Sequence, residues 1–373
     1  MSTVLPDIRS FAQGEVQEQL EGWGEPAYRV TQILDWLYPR RAASWDAMTN
    51  LPRPLRQRLA ETYSLYSPEV VRRQGSRDTT EKYLWRLRDQ SLIESVLIPA
   101  NPGLYGEPSD RHTLCVSTQV GCAYGCKFCA SGLDGWRRNL LPDEIVNQVI
   151  AVERLAAAEA IPAPGGPRPE SRLVSNLVIM GMGEPLANYE HLMKALHILN
   201  APWGGTIGAR KITISTSGLA PQIRRLADEP PQYRLALSLH GATDEVRNRI
   251  MPVNRKYPLE ELAAAGDYYQ EKKGRLITCE YILIAGVNDG LDQTKPLAAL
   301  ARRLHAKVNL IPYNRVEGLE WERPAPEVQE RFLAALEKEG VTATLRREKG
   351  HDIDAACGQL RLKTERELSP PPG

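Results

Sequence analysis

The chain has 373 residues, 42 % of them apolar, and a net charge of +1. That length exceeds one typical domain of about 100–200 residues, and the apolar share can fill a sizeable core. The near-neutral charge excludes a global polyanion-binding surface and leaves only local basic patches for nucleic acid.

No uncharged stretch approaches the ~20 apolar residues of a membrane span. The first residues lack the basic-then-apolar run of a signal peptide. The six cysteines, Cys115, Cys122, Cys126, Cys129, Cys279 and Cys357, read as reduced thiols. A soluble cytoplasmic protein is expected.

Residues 1–75 read as short helices, over Gly14 to Trp23, Arg29 to Tyr38 and Leu55 to Tyr63, from apolar spacing near 3.6. Arginines 29, 40, 41, 53, 56 and 58 scatter positive charge here. Each alone reads as a solvated surface group, and together they suggest a small RNA-binding accessory domain. Lys82 to Leu87 and Leu92 to Ile98 then form a β pair around a turn at Asp89-Gln90. Residues 100–111 are a surface loop rich in Pro, Gly and Asp.

From there strands and helices alternate. Strands are expected over Thr113–Thr118, Leu173–Met180, Lys211–Ser215, Arg234–Leu239, Thr278–Ile284 and Lys307–Ile311, with a short β-like Val341–Leu345. Helices are expected over Pro142–Glu159, Tyr189–Leu199, Ala220–Ala227, Leu259–Lys272, Gln293–Leu304 and Pro326–Glu339. A proline-rich insertion spans 161–171, and the tail Ser369–Gly373 is expected to be disordered. Such alternation implies an α/β fold with a parallel sheet, open or barrel-shaped. The expected division is 1–80 for the helical accessory domain, 81–111 for the β bridge and loop, 112–345 for the β/α units, and 346–373 for a C-terminal segment.

The first of these strands runs into Gly121-Cys122-Ala123-Tyr124-Gly125-Cys126-Lys127-Phe128-Cys129. Three thiolates at the spacing C-x3-C-x2-C can hold three irons of a four-iron cluster, leaving the fourth iron open to chelate a small molecule. A disulfide would strand one thiol, and a structural zinc site usually takes four ligands in two separated pairs. In β/α barrels catalytic groups gather at the C-terminal strand ends. Here those ends carry the cysteine loop, then Gly181-Met182-Gly183-Glu184-Pro185, Ser215-Thr216-Ser217-Gly218, Ser238-Leu239-His240 and Pro312-Tyr313-Asn314. A lone Ser215 or Asn314 would read as a helix cap; five polar ends in register read as a site. Cys279 reads as an inert core thiol. Cys357, in the polar segment Asp354-Ala355-Ala356-Cys357-Gly358-Gln359-Leu360, does not.

The C-x3-C-x2-C spacing resembles that of the radical S-adenosylmethionine (SAM) superfamily. With Met182-Gly183-Glu184-Pro185, Ser238-Leu239-His240, Thr113-Leu114-Cys115 and the segment around Cys357, the chain resembles the bacterial radical SAM adenosine C2-methyltransferases of 23S rRNA and tRNA. The resemblance runs from about residue 10 to 362. Stretches 100–111 and 161–171 and the proline tail are longer than the family pattern. A sister group that methylates C8 of the same rRNA adenosine shares most of these motifs.

The resemblance implies a partial (β/α)6 barrel with a helical N-terminal accessory domain. It implies one [4Fe-4S] cluster on Cys122, Cys126 and Cys129 and two SAM molecules per turnover. SAM contacts would come from Gly183, Glu184, Ser215, Ser238, Leu239, His240 and Asn314. Cys357 would carry the methyl group, first as S-methylcysteine and then in a covalent RNA adduct. Cys115 would resolve that adduct, and Glu94 would accept the proton. The target would be a 23S rRNA adenosine at the peptidyl-transferase centre and an anticodon-loop adenosine of tRNA. A reductant such as flavodoxin or ferredoxin would serve a monomeric enzyme. Arg72, Arg73, Arg77 and Lys82, and Arg346, Arg347 and Lys349, are candidate phosphate contacts. A non-catalytic RNA-binding protein would need neither lone thiol, and a small-molecule radical enzyme would need neither the N-terminal domain nor the Cys357 segment.

Overall fold

The computed structural model describes residues 5–100, 111–159, 172–346, 353 and 357–368. Three helices open it: α1 (Gln13–Gly22), α2 (Tyr28–Leu37) and α3 (Arg53–Thr62). Each lies within two residues of its sequence-based range. Their apolar stripes, including Leu20, Ile33, Leu37, Leu55 and Leu59, are buried together.

Next come β1 (Glu69–Gly75), β2 (Glu81–Arg86) and β3 (Leu92–Pro99), an antiparallel meander. The sequence reading of 1–75 as helical therefore fails at β1, and the bridge has three strands, not two. Its sequence, Glu-Val-Val-Arg-Arg-Gln-Gly, is a polar edge with no buried side chain. Pairing with β2, rather than an apolar alternation of its own, makes it a strand.

Strand β3 continues antiparallel to β4 (His112–Cys115). A small hairpin of β5 (Gln119–Gly121) and β6 (Trp136–Asn139) frames the cysteine loop. From β4 onward the main sheet is parallel. It runs through β7 (Val174–Ile179), β8 (Ile212–Thr216), β9 (Arg234–Ser238), β10 (Ile277–Leu283), β11 (Ala306–Pro312) and β12 (Ala343–Leu345). One ten-stranded sheet results, with β1 and β12 as its edges.

The crossover helices follow the predicted ranges: α4 (Pro142–Glu159), α5 (Tyr189–Asn200), α6 (Ala220–Asp228), α8 (Leu259–Lys273), α9 (Thr294–Arg303) and α10 (Pro326–Lys338). Two helices lie outside that reading, α7 (Asp244–Ile250) and α11 (Gln359–Leu368). No described helix is long and apolar enough to cross a membrane.

The N-terminal helices are tied to α4. Arg9, 1 % exposed, donates to Asn147 Oδ1 at 3.2 Å and to the Ala42 carbonyl at 3.1 Å. Ser10 Oγ donates to Asp143 Oδ1 at 2.7 Å. Of the predicted loop 100–111 only the ends are described. The 161–171 insertion, Arg347, Lys349 and the Ser369–Gly373 tail lie outside the described residues.

Candidate active site

The parallel strands deliver their C-terminal ends to one cavity of about 340 Å³. Cys122, Cys126 and Cys129 line it together with Gly183, Glu184, Ser215, Ser238, His240, Asn314, Cys115 and Cys357. The sheet thus gathers all but two of the sequence-predicted site residues on one wall system. The exceptions are Leu239 and Glu94, which stand behind it.

The cysteine loop is pinned from three sides. Gly121, at φ +75°, lets the hairpin close; a Cβ there would stand 2.0 Å from the Gly135 carbonyl oxygen. Cys122 N donates to that oxygen at 3.0 Å, and Lys127 N donates to the Ile250 carbonyl at 2.9 Å. Trp321 Nε1 donates to the Lys127 carbonyl at 3.1 Å. Burial pushes the Cys122 thiol up to about 12 and raises Cys126 and Cys129 as well. Each of the three thiols is further raised by a neighbouring thiol. Three half-buried thiols whose ionised forms are disfavoured by desolvation and by neighbouring thiols form a donor set suited to a cationic group. Among the described residues no three Cys, His, Asp or Glu side chains converge on a single metal ion. Spread thiols around a shared cavity fit a multi-iron cluster better than one tetrahedral zinc.

Beside them, Glu184 is 3 % exposed. Its Oε2 accepts from Ser217 N and Ser217 Oγ, both at 2.7 Å, and its Oε1 accepts from Leu186 N at 3.0 Å. Burial nevertheless raises its carboxyl. Gly183, at φ +100°, lies where a Cβ would come 2.5 Å from Gln119 Cβ. Gln119 Oε1 in turn accepts from Glu184 N at 2.9 Å. The Ser215 and Ser238 hydroxyls are 3.2 Å apart.

His240 occupies left-handed backbone at φ +53°. Its Nδ1 accepts from Ile282 N at 3.0 Å, and its ring meets Phe128 edge-on at 5.0 Å. Burial, with Arg247 nearby, pulls it down to about 3, so the ring is neutral at physiological pH. Leu239 is 1 % exposed and faces the core; its carbonyl accepts from Arg247 Nε at 3.0 Å.

Arg247, on α7, escaped the sequence reading. It is fully buried and also donates to Asn254 Oδ1 at 2.6 Å and to the Ser217 carbonyl. It thereby joins the loops after β8 and β9. Only its neighbourhood marks it, because a lone Arg in Asp-Glu-Val-Arg-Asn-Arg-Ile reads as a helix surface group. Glu280 of β10 and Arg346 after β12 also line the cavity and were not read as part of it.

The two lone thiols meet in the same cavity, with Cys357 near Cys129. Cys115 closes β4, and its side chain hydrogen-bonds that of Cys357. Cys357 Sγ also approaches the Met180 carbonyl at 3.3 Å. That bond holds Cys115 well above, and Cys357 below, the ordinary thiol value. Lys82 and Arg346 further favour the Cys357 thiolate. Cys279 is fully buried, as expected.

The phosphate-contact reading of Lys82 is corrected. Its side chain is fully buried and pairs with Glu94 Oε2 at 2.9 Å. Arg73 pairs with Glu81 at 2.7 Å and with Glu159, and Arg72 pairs with Glu367.

Residues 7–65 match the family described as ribosomal RNA large subunit methyltransferase N-terminal domain, and residues 171–298 match the radical SAM superfamily. The chain is 58 % identical to a probable dual-specificity RNA methyltransferase RlmN 3 of Opitutus terrae, over 97 % of this chain and 96 % of that one. It is 49 % identical to a probable dual-specificity RNA methyltransferase RlmN of Akkermansia muciniphila, over 98 % of each. A crystal structure of a radical SAM methyltransferase from Sphaerobacter thermophilus superposes with TM-score 0.86 at 44 % identity, over 95 % of this chain and 98 % of that one. With its three-thiol loop, its paired lone thiols and full-length likeness to these proteins, the chain belongs to the RlmN family of radical SAM RNA methyltransferases.

Proposed function

We propose that this enzyme methylates C2 of an adenosine in 23S rRNA, at the peptidyl-transferase centre, and of an anticodon-loop adenosine in tRNA. The observation that carries the reading is the Cys115–Cys357 contact on the wall of the cavity that the three loop thiols share. Adenine C2 is electron-poor between two ring nitrogens, so it does not attack a SAM methyl group directly. A methyl carrier on the protein and radical chemistry beside it answer that difficulty.

Cys122, Cys126 and Cys129 would hold a [4Fe-4S] cluster. Bound together, cluster and SAM supply one-electron reduction and hydrogen abstraction. Glu184, Ser215, Ser238, His240 and Asn314 line the space for SAM, and Gly183 lets the backbone approach it. Neutral His240 adds no positive charge beside a sulfonium. Cys357 takes the methyl group from one SAM, and a second SAM serves hydrogen abstraction, making two per turnover. The lowered thiol of Cys357 favours its role as nucleophile. Cys115, beside Cys357, would resolve the RNA adduct as a thiolate: attack on Cys357 Sγ breaks the Sγ–methylene bond toward the base, which takes up a proton, and the external reductant returns the resulting disulfide to two thiols. Glu94 accepts the C2 proton once its carboxylate is free.

The target base leaves its stack to enter a cavity of this kind, and RNA loops allow that cheaply. A cytoplasmic monomer reduced by flavodoxin or ferredoxin completes the reading. Nucleoside mass spectrometry of 23S rRNA and tRNA decides it. Depletion of the enzyme removes 2-methyladenosine and purified enzyme restores it. Appearance of 8-methyladenosine alone would assign the chain to the C8 chemistry.

A further inference from the structure

The face of the β2–β3–β4 meander toward the cavity carries a diagonal row of functional groups. Lys82 pairs across the ladder with Val96, Leu84 with Glu94, and Val96 with Cys115. Side chains two apart on a strand share a face, so Lys82, Leu84, Leu92, Glu94, Val96 and Cys115 project to one side. The C-terminal segment rests on that row. Glu94 is 3 % exposed, and its two oxygens divide their acceptor capacity. Oε2 accepts from Gly358 N at 2.7 Å and pairs with Lys82 at 2.9 Å, and Oε1 accepts from Arg361 N at 2.7 Å.

Gly358 and Arg361 flank the first turn of α11, whose leading N–H groups have no partner within the helix. A carboxylate from another element therefore caps this helix, where the helix dipole also favours negative charge. Two further contacts fix the same turn. Leu360 is fully buried with Leu84 and Leu92. Gly358, at φ +81°, packs so tightly that a Cβ would stand 2.7 Å from Ser131 N, two residues past Cys129. Cys357 immediately precedes the capped turn.

We propose that the Lys82–Glu94 pair is a latch that docks the carrier helix α11 and positions Cys357 against Cys115. Lys82 orients the Glu94 carboxylate inside the protein through their 2.9 Å ion pair, and Glu94 holds the two N–H groups. While the latch is closed, the carboxylate is occupied and takes no proton from RNA. When the segment lifts, Glu94 loses both N–H donors and keeps Lys82, so carrier movement and proton acceptance alternate on one carboxylate. The catalytic consequence rests on Cys357 as methyl carrier; the docking itself does not.

Hydrogen exchange of the cluster-free and cluster-loaded full chain tests the latch. Glu94→Ala is expected to speed exchange at the Gly358 and Arg361 amides by at least about tenfold, as for loss of one charge-assisted bond. Glu94→Gln, which keeps one carbonyl acceptor, falls between it and the parent. Because Glu94→Ala removes the carboxylate that pairs with the buried Lys82 and threatens folding, the double variant Lys82→Met with Glu94→Leu replaces the pair by apolar groups and still removes both acceptors. It is expected to speed exchange over 358–364 while β4 and β7 amides keep parental protection, and to expose Cys357 to iodoacetamide. Parental exchange at 358 and 361 in the folded double variant overturns the latch. A role for Glu94 as proton acceptor alone predicts that parental exchange, together with RNA-linked protein persisting in Glu94→Gln. Loss of 2-methyladenosine chemistry with the latch intact would instead overturn the proposed function.

Discussion

Replacing Arg247 by methionine tests whether α7 holds the two loops after β8 and β9. The guanidinium is fully buried and donates to the Leu239 carbonyl, to Asn254 Oδ1 and to the Ser217 carbonyl. Burial pulls it down to about 10, which makes keeping the charge inside cost on the order of 3 kcal/mol. Arg247→Met relieves that cost. It also leaves three buried acceptors without this donor, at roughly 2 kcal/mol each. The acceptors win, and the net loss is about 3 kcal/mol. For a chain of 373 residues that lowers Tm by roughly 4 °C. The same loops carry Ser217, which holds Glu184, and His240, so SAM affinity should fall at least about tenfold. Scanning calorimetry and equilibrium dialysis of SAM on the loaded enzyme read both effects. A Tm within about 2 °C of the parent, with parental SAM binding, would refute the argument.

Gly183→Ala forces a Cβ to 2.5 Å from Gln119 Cβ at φ +100°; it should lower stability by about 3 kcal/mol or more and weaken SAM binding, as urea melts and dialysis will show. Alanine at Cys122, Cys126 or Cys129 should abolish reductive SAM cleavage in anaerobically reconstituted protein, and parental 5'-deoxyadenosine output from any of them would sink the cluster assignment. Cys357→Ala should prevent both self-methylation and adduct, whereas Cys115→Ala should accumulate RNA-linked protein on denaturing gels that ribonuclease collapses; normal turnover in both would end the two-thiol mechanism. His240 is pulled down to about 3 from an ordinary value near 6.5, so the unfolded chain binds its proton first. The folded state therefore gains stability as pH rises from about 3 to 6.5, by up to ~1.4 kcal/mol per pH unit, and His240→Gln should flatten that slope in urea melts. Asp143, pushed up to about 6, acts in the opposite sense and costs stability as pH rises through about 4 to 6.

The three-thiol loop, the alternation of strands and helices and the polar strand ends were legible because each is local. Spacing within eight residues or a period of two or 3.6 is enough to see them. Lys82, Arg247 and Arg361 were not, since a charged side chain in isolation reads as solvated. Their burial depends on partners in other elements: Glu94 on the next strand for Lys82, the Leu239 and Ser217 carbonyls of two loops for Arg247, and Asp134 of the cysteine-loop hairpin for Arg361. Helix α11 was invisible for the same reason. Its sequence, Gln-Leu-Arg-Leu-Lys-Thr-Glu-Arg-Glu-Leu, has a weak apolar stripe, and its anchors, Leu84 and Leu92 around Leu360 and Glu94 at its first turn, come from strands more than two hundred residues earlier. Glu94 was found through family likeness, yet its placement under α11 came only from the fold.

The main sheet begins at β1 and ends at β12, and those two edges do not pair with each other. The polypeptide leaves β12 at one edge, and α11 lands on β2 and β3 near the other. The ring around the reaction chamber is thus completed by a clasp instead of a backbone ladder. A clasp of side-chain and cap contacts, the Glu94 cap, the buried Leu360 and Leu362 and the ion pairs of Arg361 and Glu367, can release without unzipping a strand. A long polymer can then be admitted from the side, at an interior nucleotide, with no need to thread a free end. Turnover would open the vessel and leave its wall intact.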